Sequence, residues 1–129
     1  MGNEGGKKIL LVDDEVSIVD LLADILIKNG FTVFKANDGK KGLDDAKKLR
    51  PDLVVLDVNM PKMDGFKVLE NLKKDKKTRD IPVIMLTTRA SADDISQGMQ
   101  LYADKYLPKP FEGNQLVAEI NKTFATRQL

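Results

Sequence analysis

The stretch Leu53-Val54-Val55-Leu56-Asp57 decides the fold. Four consecutive apolar residues leave a strand no polar side, so both of its faces must be covered. The run then stops at a carboxylate. The same texture recurs on either side of it. Ile9-Leu10-Leu11-Val12 reads as a buried strand and ends in Asp13-Asp14. Phe31 to Phe34 is a short second strand, and Pro82-Val83-Ile84-Met85-Leu86 is a fourth, running into Thr87-Thr88. Lys105-Tyr106-Leu107 is a short fifth strand. Pro108 lacks an amide hydrogen, which predicts that this last strand lies at a sheet edge.

Amphipathic stretches separate these runs. Ile18, Leu21, Leu22, Ile25 and Leu26 share one helical face by their spacing, and Asn29-Gly30 stops that helix. Asp38-Gly39 opens a second helix, which ends before Pro51. Asp64-Gly65 reads as a turn whose glycine permits positive φ, and a third helix follows with Phe66, Leu69 and Leu72. Ser91-Ala92-Asp93-Asp94 is similar to a capping box. It opens a thinly apolar fourth helix carrying Ile95, Met99 and Tyr102, with Gly98 inside. Leu116, Val117, Ile120 and Phe124 form the stripe of the last helix. This alternation predicts an α/β, doubly wound, mostly parallel five-stranded sheet with helices on both faces. Residues 1–6 read as a loose tail and residues 7–127 as one domain.

Composition excludes whole classes of chemistry. The 129 residues include 21 Lys and Arg against 20 Asp and Glu, a formal charge of +1. That balance gives no global basic field for nucleic acid. There is no cysteine and no histidine, which removes disulfides, thiolate zinc sites, histidine ligands and Ser-His-Asp catalysis. No apolar run reaches the length of a membrane span. The first residues lack a signal-peptide pattern. The expectation is a cytoplasmic domain without a membrane partner.

The polar residues fall where the strands end. Asp13-Asp14, Asp57 with Asn59, Thr87 and Lys109 all follow apolar runs. In open parallel sheets ligands bind outside the carboxyl ends of the strands. Three clustered carboxylates repel one another, and a cation relieves them. Hard oxygen donors without His or Cys favour Mg2+. Asp13, Asp14 and Asp57 could hold it, helped by a carbonyl near Asn59. A carboxylate in such a site can also accept a phosphoryl group.

In these four segments the chain resembles the receiver domains of two-component response regulators. They are Leu11-Val12-Asp13-Asp14-Glu15, Leu56-Asp57 through Asp64-Gly65, Met85-Leu86-Thr87 and Tyr106-Leu107-Pro108-Lys109-Pro110-Phe111. The resemblance spans roughly Lys8 to Phe124 and implies a flavodoxin-like sheet in the order 2-1-3-4-5. It implies Asp57 as phosphoacceptor, Asp13 and Asp14 as the acidic metal pair, and Asn59 as the residue whose carbonyl completes a Mg2+ site. It implies Thr87 as the switch hydroxyl, Lys109 as the lysine pairing with the phosphoryl group, and Tyr106 as the aromatic switch residue. The Lys109-Pro110 bond is similar to one usually cis in the family. Two positions depart from the pattern. Thr88 stands where the family commonly has Ala or Gly, and Arg89 follows it. With Asn59 these residues would tune the lifetime of the phosphate.

By that resemblance the protein is a phosphorylation-controlled signalling switch rather than an enzyme acting on other substrates. The donor would be a sensor histidine kinase or a histidine phosphotransfer protein. Output would pass through the surface of the fourth helix, fifth strand and fifth helix to a protein target, because no effector domain follows the last helix. Other readings stay open. Asp13-Asp14 could cap the first helix, Thr87 could be a turn residue, and Lys109 and the run from Lys73 to Arg79 could be solvated. Tyr106 could be an ordinary edge residue. An aspartate-nucleophile phosphohydrolase would want an acid where Asn59 stands. A phosphate-independent interaction module would not need the full acceptor set. Flavin binding would need a phosphate loop where Asp13-Asp14-Glu15 stands.

Overall fold

The computed structural model describes residues 6–58, 60, 65–87, 103, 105–109 and 111–127. Among the described residues the elements run β1 (Lys8–Val12), α1 (Val16–Lys28), β2 (Thr32–Ala36), α2 (Gly39–Leu49), β3 (Leu53–Asp57), α3 (Gly65–Lys74), β4 (Val83–Thr87), β5 (Lys105–Pro108) and α4 (Gly113–Arg127). The helix predicted to open at Ser91, with Gly98, lies outside the described residues, as do Met1 to Gly5 of the predicted tail, Asp64 and the Lys109-Pro110 linkage. The helix read as the fifth from sequence is therefore α4.

All five strands are parallel, in the order β2-β1-β3-β4-β5. The central strand β3 is buried along its whole length, as its apolar run demands. Its side chains alternate between two cores. Val54 and Leu56 join Leu10, Val12, Met85, Phe66 and Leu69 on the α2/α3 side. Leu53 and Val55 join Ile9, Leu11, Ile84, Leu86, Leu26 and Leu116 on the α1/α4 side. β5 with Pro108 is one of the two sheet edges, β2 being the other.

Local signals act as their chemistry predicts at several joints. The Asp38 carboxylate accepts the Lys41 backbone N–H at 2.7 Å and caps α2. Gly30, past the end of α1, has φ 93°.

Two expectations fail. Positive φ among the described residues is confined to Gly30 and Arg50, so Gly65 is not a left-handed turn residue. It is the first residue of α3, pressed against the backbone of β3. The buried stripe of α1 is Val19, Leu22, Ala23 and Leu26, which keeps Leu22 and Leu26 of the predicted face and replaces Ile18, Leu21 and Ile25. Leu21 is 58% exposed, and Ile18 and Ile25 are half-buried. α1 is apolar around most of its circumference. The sheet takes the arc centred one residue further on; Val16, Leu21 and Ile27 are left exposed, and Ile18 packs at the margin of the core.

Candidate functional site

Four strand ends converge on one edge. Asp13 follows β1, and its backbone N–H donates to Ala36 at the end of β2 at 3.1 Å. Asp57 ends β3 opposite Leu86 of β4, and Thr87 ends β4 one residue later. Lys109 follows β5, and its N–H donates to the Thr87 carbonyl at 2.8 Å. Asp57, Asp13 and Thr87 are buried. The Lys109 ammonium reaches the Asp57 Oδ1 at 3.1 Å. That ion pair joins two groups 52 residues apart in sequence.

One carboxylate oxygen from each of Asp13, Asp14 and Asp57 lies within 4.8 Å of the others. Asp14 is exposed while its two companions are buried. Asp13 Oδ1 accepts the Glu15 N–H at 3.0 Å, but its buried Oδ2 has no hydrogen-bond partner. A buried polar atom left without a partner is costly. The Asp13 carboxyl is pushed up to about 6. Burial is the main cause, the Asp57 and Asp14 charges add to it, and the Glu15 N–H and Lys109 oppose it. These are the marks of a pocket suited to a divalent cation, in which hard oxygens alone are offered. Neither Asp13 nor Asp14 is the N-cap of α1: that position is Glu15, whose own side chain makes no cap bond, although its N–H is held by Asp13 Oδ1.

Tyr106 is half-buried on β5, with its ring centroid 6.2 Å from that of Phe66 on α3. Asn59, Thr88 and Arg89 lie outside the described residues. The structure thus brings together Asp13, Asp14, Asp57 and Lys109, and sets Thr87 beside them by strand register.

Two features escaped the sequence reading. One is an open groove of about 430 Å3 beside the site, lined by Ile18, Leu21, Ile25 and Phe111 together with Glu15 and Lys109. The other is the contact of Gly65 with the Asp57 backbone. The outward apolar residues of α1 were a signal for the first. Nothing local to Gly65 announces the second.

An acid-edged, doubly wound α/β module with a lysine gripping a buried aspartate defines a class of signalling domain. Residues 9–121 match the response regulator receiver domain, and the chain belongs to that family. It is 43% identical over 113 residues to the DNA-binding dual master transcriptional regulator RpaA of Synechocystis sp., covering 88% of this chain and 47% of that protein. It is 47% identical over 116 residues to the transcriptional regulatory protein CpxR of Klebsiella pneumoniae, covering 88% of this chain and 47% of the relative. The chain therefore spans about half the length of the curated relatives it matches. Among solved structures it is similar to the chemotaxis protein CheY4 of Vibrio cholerae, with a TM-score of 0.86 and 34% identity. That match covers 90% of this chain and 97% of the other. The sheet order predicted by resemblance is the one observed.

Proposed function

We propose that residues 7–127 form a phosphorylation-controlled switch in which Asp57 accepts a phosphoryl group from a phosphohistidine on a partner protein. The observation that carries this is the grip of Lys109 on the buried Asp57 carboxylate at 3.1 Å, beside two further carboxylates. An oxygen of Asp57 attacks phosphorus, the phosphorus–nitrogen bond breaks with its electron pair going to nitrogen, and the imidazole, protonated on its other ring nitrogen, leaves neutral. Phosphoryl transfer needs positioning and charge stabilisation more than proton chemistry. Lys109 supplies one positive charge to the transferred oxygens. Asp13, Asp14 and Asp57, with the Asn59 carbonyl, would hold Mg2+, which supplies the remaining charge neutralisation. The unpartnered Asp13 Oδ2 supports that assignment.

Transfer adds charge to a carboxylate already buried. Thr87 lies one residue past the strand partner of Asp57, and its hydroxyl turns toward the new phosphoryl oxygens. Tyr106, on the edge strand with its ring against Phe66, follows into the space so released. This links the pocket to a protein-binding surface on the β5 side, provided the two arrangements are close in energy. By the resemblance to receiver domains, Asn59, Thr88 and Arg89 would set how long the phosphate lasts.

The groove along α1 supports a protein donor. Its largely apolar lining includes Lys109, the residue that pairs with Asp57. A helical partner seated there presents its phosphohistidine at the mouth of the pocket.

The test is mass spectrometry after mixing the chain with Mg2+ and acetyl phosphate. A single-phosphate adduct is expected, absent without Mg2+ and absent in Asp57→Asn. An undiminished adduct in Asp57→Asn would place the acceptor elsewhere.

A further inference from the structure

We infer that Gly65 is a positioning residue for the phosphoacceptor: its missing side chain lets the first turn of α3 rest on the Asp57–Val58 peptide and fixes the direction of the Asp57 carboxylate. This rests on the reading of Asp57 as acceptor. A Cβ at position 65 would lie 2.5 Å from the Asp57 carbonyl oxygen, 2.6 Å from Val58 Cα and 3.0 Å from the Asp57 carbonyl carbon. All three are backbone atoms, so no side-chain rotation relieves the clash. The other two close approaches differ in kind. At Gly42 a Cβ meets the Val12 side chain, and at Gly113 it meets the Ile25 side chain.

Both partners in the contact are held in place. Asp57 is in register with Leu86, and the Val58 N–H donates to the Leu86 carbonyl at 2.9 Å. α3 is anchored by Phe66, Val68, Leu69 and Leu72, all buried. The Gly65 and Met60 N–H groups both donate to the Val58 carbonyl, at 3.0 and 3.1 Å. That carbonyl thus ties both Met60 and the first residue of α3 to the residue after the acceptor. An added methyl group has to displace the Asp57–Val58 peptide or the helix that rests on it. Either movement changes the aim of a carboxylate whose partner ammonium is 3.1 Å away. Phosphoryl transfer depends on such positioning, and misplacement by about 1 Å can cost on the order of a hundredfold in rate.

The experiment compares Gly65→Ala with the parent and with Val68→Ala. The second variant loosens the same helix without adding an atom near Asp57. Phosphorylation by acetyl phosphate is followed at saturating Mg2+, and Mg2+ affinity is titrated separately. Circular dichroism confirms folding. If Gly65→Ala is too unstable, all three proteins are measured cold with an excluded osmolyte that restores the compact state. The expected result is at least a tenfold lower rate and weaker Mg2+ affinity in Gly65→Ala, with both unchanged in folded Val68→Ala. Parental rate and affinity in folded Gly65→Ala overturn the inference, as does an equal loss in Val68→Ala. A parent chain that takes no phosphate overturns the acceptor reading instead, and Gly65 is then judged on Mg2+ affinity alone.

Discussion

A carboxyl that ordinarily titrates near 3.8 keeps its proton until about 6 at Asp13, chiefly because it is buried. Between those two values the folded chain binds a proton that the unfolded chain does not. Stability therefore rises as pH falls from about 6 toward 4, and ionised Asp13 costs the metal-free fold on the order of 3 kcal/mol at neutral pH. Asp13→Asn is expected to melt higher than the parent at pH 7 without Mg2+, and the gap is expected to close at pH 4. Thermal melts at the two pH values check this; a lower melting temperature for Asp13→Asn at pH 7 would count against it. Asp13, Asp57 and Lys109 could be found in the sequence because each polar group follows an apolar run. The role of Gly65 could not, since its reason is an approach across space to the Asp57 peptide.

The elements show where a periodic pattern runs out of information. In α1 the apolar residues 16, 18, 19, 21, 22, 23, 25, 26 and 27 cover so wide an arc that spacing cannot choose the face turned to the sheet. Packing makes the choice, burying Leu26 completely and leaving Leu21 58% exposed. The two leucines are thus expected to behave oppositely. Leu26→Ala should cost about 2–5 kcal/mol through lost burial and a cavity. Leu21→Arg should change stability by no more than about 0.5 kcal/mol. If the groove seats the donor, Leu21→Arg should also slow transfer from a phosphohistidine protein while leaving the rate from acetyl phosphate intact. Urea unfolding and the two donor assays separate these effects. The end of α2 carries a second testable strain. Arg50 adopts φ 47° and ψ 62° at the C-cap, the left-handed region that favours glycine. Arg50→Gly is expected to stabilise the fold by about 1 kcal/mol, read as a higher urea midpoint with unchanged slope.

At the scale of the molecule, the acidic pocket exists only when the chain is folded. Asp13 and Asp14 come from the end of β1 and Asp57 from the end of β3, strands that lie side by side only in the finished sheet. The alternation of apolar runs and amphipathic stretches was enough to anticipate the sheet, its parallel strands and the edge that carries the site. It could not supply the choice of α1 face, which depends on two bodies meeting. Because the unfolded chain has no such pocket, a bound cation stabilises the whole fold by mass action. At a hundred times the dissociation constant the gain is about 2.7 kcal/mol, or about 10 °C for a chain of this size. Protons compete for the same oxygens, so one pH unit below the Asp13 midpoint of about 6 the affinity should fall about tenfold. Calorimetry with Mg2+ at pH 7 and pH 5 is expected to show a large upward shift at the first and a much smaller one at the second. Asp13→Asn with Asp57→Asn should show no shift at either pH. A persistent shift in that double variant would mean that the cation binds outside the strand-end pocket, and that the gathering of these carboxylates by the fold is not what holds it.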